Sequence, residues 1–335
     1  MSKKVLFVTY TGDITGMIPE LTRTLESRGA EVLRFDNDMF PTEAQVTLAQ
    51  HSSGEGLRFR YKGREMRIGP EDAIWYRRAR IGEKLPEMDP QLRHGALLES
   101  KALLYGAIGA APCFVIDPPH KVRSNEHKPR QLHIARELGL DIPRSLMTND
   151  PEEARAFIAS CPGGVVAKML SAFPVFDDQG VEQVVFTTLL TSEHLDKLDG
   201  LRYSPMVFQE RIRKKLELRI TVIGNRLFTA AVDSEKTDGA AIDWRARGVT
   251  LLQSWREYQL PADVERRLGQ YMDRIGLQYS AIDVIVDPDG RHIFLEANPA
   301  GECFWMQYNA PHFPLSNALA DVLLDEPGAR RVFPA

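Results

Sequence analysis

Cysteine is scarce in this chain. Cys113, Cys161 and Cys303 are far apart and odd in number. None stands in a CxxC pair or at a Cys/His metal spacing, so a disulfide scaffold and a zinc site are both excluded, and the setting expected is reducing and cytoplasmic. An excess of one charge is also missing. The 42 basic and 46 acidic residues leave a net charge of −4, which gives no pull toward nucleic acid or an anionic membrane. No apolar run approaches the ~18 residues of a membrane-spanning helix. The opening MSKKVLFVTYTG is basic and then apolar, but Thr11, Gly12 and Asp13 break the run too early for a signal sequence, and it reads as a first strand. There is no internal repeat, no low-complexity tract and no Ser-His-Asp or Cys-His set. His94, His127, His133, His292 and His312 are scattered and read as structural or surface groups.

What is present is ordinary globular material. With 43% hydrophobic and 26% charged residues over 335 positions, the chain can bury two or three packed units. Val5–Thr9, a helical pattern over Met17–Arg28 stopped by Gly29, and Val32–Phe35 make a βαβ opening. DAIWYRRAR reads as a strand running out into a basic, exposed end, Leu92–Ile108 as a helix, and CFVIDPP as a strand closed by Pro118 and Pro119. A helix before Gly139, an extended piece to Thr148, a helix from Pro151 through Ile158 and the strand GGVVAKML form a small α+β unit. A polar loop with Asp177, Asp178 and Gly180 and the strand QVVFTTLL complete it. Met206–Ile212 is a strand. LRITVIGNRLFTAAV is a hairpin turning at Gly224-Asn225, Pro261–Ile275 an amphipathic helix, YSAIDVIVDPDGRHIFLEAN a second hairpin, and Ser316–Leu324 a last helix. The fold class is α/β with an α+β lid, divided at 1–118, 119–205 and 206–335.

The chemistry concentrates in the second hairpin. Glu296 and Asn298 are two apart on a strand and share a face. With a four-residue loop, Pro288–Arg291, Asp283 stands directly opposite Glu296; a three-residue loop with a glycine bulge would turn Asp283 to the other face. The first register groups Ile282, Val284 and Val286 with Ile293, Leu295 and Ala297 and leaves the acidic set together. Three oxygen donors so spaced suit a hard cation such as Mg²⁺, completed by water and nucleotide phosphates. Separate solvated carboxylates on an exposed face are the other reading. Lys168, inside VVAKML, needs an anionic partner among its apolar neighbours. Gln209 and Glu210 of FQERI end a strand, where backbone groups can read an adenine edge and a carboxylate can take ribose hydroxyls.

This order of parts resembles the ATP-grasp ligases that join a carboxylate to an amine or alcohol, and more closely the graspetide macrocyclases, the microviridin-type ω-ester and ω-amide ligases. The resemblance covers most of the chain: WYRR, NEHKPRQLHIARELGLDIPRSLMTND, LRITVIGNRLFTAAVDS, IDWR and IFLEANPAG, with LEANPAG and DIPRSLMTND the most specific. It implies a three-part ATP-grasp architecture: a βαβ domain, a central α+β lid and a C-terminal mixed-sheet domain. It implies ATP on Lys128, Lys168, Gln209, Glu210, Ile212 and Glu217, one or two Mg²⁺ ions on Asp283, Glu296 and Asn298, and Arg219 near the γ-phosphate. Asp243 and Arg245 of IDWR are placed to engage the acceptor peptide, or form a structural pair. The partner implied is a ribosomal precursor peptide, and the enzyme is expected to be a homodimer; the acidic loop of the middle segment with Asp177, Asp178 and Glu182 is the candidate leader site, or else the lid over ATP. The family commonly carries Gln and an aromatic residue after the NPxG glycine; Glu302 and Cys303 follow here. Two other functions are weighed: a ligase adding free amino acids or glutamate, and a nucleotide-binding module without chemistry, which would have no reason to keep all three metal ligands.

Overall fold

The computed structural model describes residues 2–333 apart from 14–16, 53, 172–174, 177–178, 180–181, 184–185, 235–250 and 310. β1 (Lys4–Thr9), α1 (Met17–Ser27) and β2 (Glu31–Asp36) form the expected βαβ opening. Three antiparallel strands that the sequence reading did not anticipate come next: β3 (Ala44–His51), β4 (Gly54–Tyr61) and β5 (Arg64–Ile68). β6 (Ala73–Tyr76), α2 (Pro90–Gly109) and β7 (Phe114–Ile116) then complete a parallel sheet in the order β2-β1-β6-β7. Alternation along β1 sends Val5 and Phe7 to one face and Leu6 and Val8 to the other. The first pair meets Met17, Leu21 and Leu25 of α1. The second meets Leu104, Ala107 and Ile108 of α2 and the inward side of the three-stranded sheet, Leu57, Phe59, Tyr61, Met66 and Ile68.

α3 (Pro119–Ser124) and α4 (Lys128–Glu137) lead into the central unit. β8 (Ser145–Thr148), α5 (Pro151–Ala159) and β9 (Val165–Lys168) follow, with α5 capped by Asp150, whose side chain accepts from the Glu152 N–H at 2.9 Å. β10 (Val175–Phe176) and β11 (Glu182–Gln183) make a two-stranded ribbon. β12 (Thr188–Leu189), α6 (Ser192–Leu195) and β13 (Met206–Glu210) finish this part. The sheet runs β12-β9-β13-β8, all antiparallel, over a small core of Ala154, Cys161, Val165, Ala167, Leu198, Leu201 and Phe208.

The last part holds β14 (Leu216–Ile223), β15 (Arg226–Val232), β16 (Arg256–Glu257), α7 (Ala262–Ile275), β17 (Tyr279–Val286), β18 (His292–Asn298), α8 (Trp305–Tyr308) and α9 (Leu315–Leu324). Its strands lie β16-β15-β14-β17-β18 with antiparallel pairings, and Asp141 adds one parallel bridge to Ile293. One face of β14 and β17 packs on α7 and on Leu132, Ile134 and Ala135 of α4. The other face of the sheet sends Ile223 of β14, Ala230 and Val232 of β15 and Tyr279 of β17 into the same core as α1, Trp75 and α9. Hydrophobic contact therefore does not follow chain position at the expected boundaries. α4, from the 119–205 segment, belongs to the last core, and β13, from the 206–335 segment, is a strand of the central sheet. Among the described residues no helix is long and apolar enough to cross a membrane.

Asp117 locks the first sheet to the last. Directly after β7, its buried carboxylate accepts from the backbone N–H groups of Gln278 and Tyr279, each at 2.9 Å, at the start of β17. Burial pushes this carboxyl up to about 7, against the pull of those two donors and of Lys121. Because its affinity for a proton is higher folded than unfolded, stability from this group is full below about pH 4 and is lost as pH rises through about 7. Asp117→Asn puts an amide NH₂ against one of the two N–H donors, and should lower stability by about 2 kcal/mol near pH 5. Thermal melts of both proteins should show that gap narrowing toward about pH 8, whereas a widening gap would contradict the assignment.

Candidate active site

The core of the site is a row across three strands. Arg219 of β14 is directly opposite Asp283 of β17, and Asp283 is directly opposite Glu296 of β18. The expected Asp283–Glu296 register is present, but it is reached by a different route. The strands pair from Val286 and His292, and the connection runs from Asp287 to Arg291, where the Asp287 carboxylate accepts from the N–H groups of Asp289 (3.0 Å) and Arg291 (2.9 Å). A bulge between Asp283 and Val284 then shifts the register by one, so Val284 pairs with Phe294. Phe294, fully buried, thus takes the inner position expected for Leu295.

The side chains of this row touch. Arg219 Nη1 donates to both carboxylate oxygens of Asp283, at 2.9 and 3.0 Å, and Asn298 Nδ2 reaches Asp283 Oδ2 at 3.3 Å. Lys128 Nζ, at the start of α4, is 2.5 Å from Glu296 Oε2. Only 7% of Arg219 is exposed. Burial disfavours its charge, but the Asp283 carboxylate outweighs this and holds the guanidinium pKa above its usual value. Its Nη2 donates to the Glu302 carbonyl at 2.7 Å, while its Nε is buried with no hydrogen-bond partner among the described residues. The final glycine of LEANPAG has its reason here. A Cβ on Gly301 would lie 2.9 Å from Arg219 Nη2 and 2.7 Å from the Ala281 Cβ.

The other expected residues lie around this row or on the central sheet. Glu217 shares the face of Arg219, two positions back on β14, and is held by Lys214 Nζ at 2.8 Å and by the Ser234 hydroxyl. Burial pushes its carboxyl upward, against Lys214 and Ser234. Lys168 ends β9 across from Val207, and is half-buried rather than enclosed as VVAKML suggested. Gln209 is buried on β13, its amide donating to the Ser145 hydroxyl at 3.0 Å, and Glu210 and Ile212 follow it, half-buried. Asp243 and Arg245 lie outside the described residues, as do Asp177 and Asp178, while Glu182 belongs to β11.

Two groups escaped the sequence reading. Lys214 is one, a buried cation in the run RIRKK with no local mark to set it apart. The other joins the two ends of the chain. Arg77 reaches Asp13 at 2.7 Å and Glu302 Oε2 at 2.8 Å, and Arg78 reaches the same oxygen at 3.0 Å. The basic end of WYRR is therefore not wholly exposed, since Arg77 is buried. Cys303 lies beneath, its thiol pushed up to about 12 by burial and bonded by the Tyr279 hydroxyl at 3.0 Å.

The donor set suits a divalent cation. Among the described residues no three His, Cys, Asp or Glu side chains gather, so the set is two opposed carboxylates with the Asn298 amide oxygen. Such hard oxygens favour Mg²⁺ over softer metals. The buried Nε–H of Arg219, without a partner among the described residues, is a donor that a phosphate oxygen would satisfy.

A family model, the MvdD pre-ATP grasp domain, matches residues 4–123. The chain is similar to the macrocyclase MdnC of Microcystis aeruginosa MRC, solved with its precursor peptide MdnA, at 41% identity and TM-score 0.86 over 96% of this chain and 100% of that one. It is similar to a RiPP-associated ATP-grasp ligase of Chryseobacterium gregarium, solved with ADP and a leader and core peptide, at 34% identity and TM-score 0.89 over 99% and 100%. The macrocyclase MdnB of Microcystis aeruginosa MRC follows at 31% identity and TM-score 0.79 over 96% and 99%. No curated protein matches the chain.

The packing at Gly301 can be tested without any substrate. Gly301→Ala forces the new methyl into Arg219 and Ala281, and should cost about 1–3 kcal/mol. Chemical denaturation of the purified variant measures it; a change below about 0.5 kcal/mol would mean that the glycine is there for another reason.

Proposed function

The chain belongs to the ATP-grasp ligases that macrocyclise ribosomally made peptides, and from that membership we propose that it activates Asp or Glu side chains of a precursor peptide and joins them to Ser or Thr hydroxyls as esters, or to Lys amines as amides. The row Arg219–Asp283–Glu296, with Lys128 seated on its far end, is the observation that carries this reading. An oxygen of the substrate carboxylate attacks the γ-phosphorus of ATP, the bond from phosphorus to the ADP oxygen breaks, and ADP leaves with the electron pair. The hydroxyl or amine then attacks the acyl carbon of the mixed anhydride and inorganic phosphate departs, so each ring costs the peptide one water.

In this reading Lys128 and Lys168 hold phosphate oxygens, and Arg219 offers its remaining donor to the γ-phosphoryl group. Gln209, Glu210 and Ile212 border the base and ribose, with Glu217 kept in place by Lys214. Asp283, Glu296 and Asn298 hold Mg²⁺, which when bound neutralises the charge that develops on the transferring phosphoryl group. Asp243 and Arg245 engage the acceptor peptide, and the segment that carries Asp177, Asp178 and Glu182 receives its leader. The rate comes from alignment and charge compensation, with no protein nucleophile required. The functional units are an N-terminal domain (1–118), a central lid (119–205) whose sheet takes in β13 and whose α4 packs on the last part, and a C-terminal metal-binding domain (206–335), in a cytoplasmic homodimer.

Glu296→Gln keeps the size of the side chain and removes one negative ligand. ADP formation should fall by about 10²-fold or more, equivalent to ~2.7 kcal/mol of transition-state stabilisation, with incomplete rescue by added Mg²⁺. ADP release across a Mg²⁺ titration, with loss of water from the precursor followed by mass spectrometry, measures it. Equal rates at every Mg²⁺ concentration would remove the metal site and the ligase mechanism with it. Lys168→Ala should raise the KM for ATP and lower turnover while the melting curve stays in place; wild-type ATP kinetics in that variant would exclude Lys168 from the phosphate site.

A further inference from the structure

The first parallel sheet has two ends, and the proposed chemistry uses only one of them. Arg77 and Asp117 lie just past the carboxyl ends of β6 and β7. A cavity of about 840 Å³ lies at the amino ends of the same strands, walled by the start of β1, the residues before β6, Phe114 and the segment after α9. Alternation distributes its cations. Lys3 has the parity of Val5 and Phe7, the side on which α9 packs. Lys4 has the parity of Leu6 and Val8, and its Nζ donates to the Arg67 carbonyl at 3.0 Å. Arg330 comes from the other end of the chain. Its guanidinium carbon lies 3.6 Å from the centre of the Phe114 ring, its Nε donates to the Val322 carbonyl at 2.9 Å, and its Nη1 reaches Asp325 at 3.0 Å. The carboxylate beneath is already engaged. Asp72 accepts from the N–H groups of Lys4 and Gly69 at 2.9 and 2.8 Å, while Glu71 is exposed to solvent.

Lys3 is the group without a match. Its ammonium makes no hydrogen bond or ion pair among the described residues. Burial and the nearby Arg330 charge hold its pKa below the usual lysine value, against the pull of Asp325 and Asp72. Burial also lowers the pKa of Arg330, although Asp325 opposes this. Two cations from opposite ends of the chain thus line one cavity, and a counter-ion between them would favour both charged forms. We propose that this cavity binds a phosphate-bearing small molecule, with the phosphate group between Lys3 and Arg330 and the rest of the ligand in the remaining volume. A phosphomonoester carries close to two negative charges at neutral pH, which suits two cations on separate elements better than a single carboxylate does. The volume is far more than a phosphate group alone fills. Bound there, the ligand ties the start of the first sheet to the residues after α9, so occupancy is read as stability. The site stands apart from the ligase reading and holds whether or not that reading does.

The test compares melting temperatures in chloride and in inorganic phosphate at equal ionic strength and pH 7.5. Wild type should melt about 2–4 °C higher in phosphate, and Lys3→Ala should lose that rise. Phosphate's general salting effect is common to all variants and cancels in the comparison. In chloride, Lys3→Ala should melt no lower than wild type, because it removes a cation that lacks a partner; a structural lysine would lower the melt in both buffers, which overturns the proposal. Lys3→Arg restores the charge and should restore the rise. Arg330→Gln should lose the rise as well, and if it does not fold the two Lys3 variants decide alone. Lys168→Ala, altered at the proposed nucleotide site, should keep the full rise. A rise that Lys168→Ala abolishes and Lys3→Ala keeps belongs to the nucleotide site and overturns the assignment, as does no rise in wild type. Glycerol 1-phosphate in place of inorganic phosphate should raise the melt equally or more; a rise with the inorganic ion alone overturns the ester ligand.

Discussion

A buried guanidinium must be neutralised where it stands, and Arg219 imposes that demand on everything around it. Its charge lies inside a five-stranded sheet, where an unpaired cation would cost several kcal/mol. The requirement fixes the register of β17, because Asp283 has to be directly opposite. It also fixes the chain beyond β18, which must turn back so that the Glu302 carbonyl meets Nη2. That return leaves no space for a side chain at residue 301. Once Glu302 is there, its carboxylate falls against Arg77 and Arg78 of the first sheet. One cation in the last part of the chain therefore sets a contact with the first part, more than two hundred positions away in sequence.

The same logic repeats around the cleft, where Lys128 faces Glu296 and Lys214 faces Glu217. The acids and bases of the site are matched with one another within the fold. In the proposed reaction, sharing Asp283 and Glu296 with a divalent cation leaves Arg219 and Lys128 with positive charge to offer to phosphate oxygens. The carboxylates thus act as temporary partners for the groups that later meet the substrate, and the cost of assembling the cations in one place is carried by the fold.

What could be read from sequence was whatever local pattern determines. The βαβ opening and the hairpin at Gly224-Asn225 follow from alternation and turn residues over short spans; the facing of Asp283 with Glu296 was expected on the same ground but is set by a bulge. That bulge, beside Val284, was not legible, since no residue type there marks it; it became visible only in which of Phe294 and Leu295 is fully buried. The three-stranded sheet over 44–68 was missed because RFRYKGR places a basic residue at every second position and so reads as solvated, although Leu57, Phe59, Tyr61, Met66 and Ile68 form its buried side. The pairing of Arg77 and Arg78 with Glu302 depends on three-dimensional closure, and nothing near either end of that contact announces it. The packing of α4 and the pairing of β13 were illegible for the same reason: both are decided by partners outside their own segments.

The core shared by α1, Trp75 and α9 has a consequence for how the protein comes into being. The inner side of the first sheet, facing Leu104 and Ile108, has its partners by about residue 108 and can close while the chain is still being made. Its other face meets Met17, Leu21 and Leu25 of α1 early, but the core these residues share also needs Phe304, Met306, Leu315 and Leu319, so that side stays wet until residues 304–319 are made. A ribosome that stalls between these stretches releases a product with half a core showing, a natural substrate for chaperones and proteases. Synthesis to the far side of α9 is therefore a quality-control step, because the core of the first helix is complete only once α9 has been made.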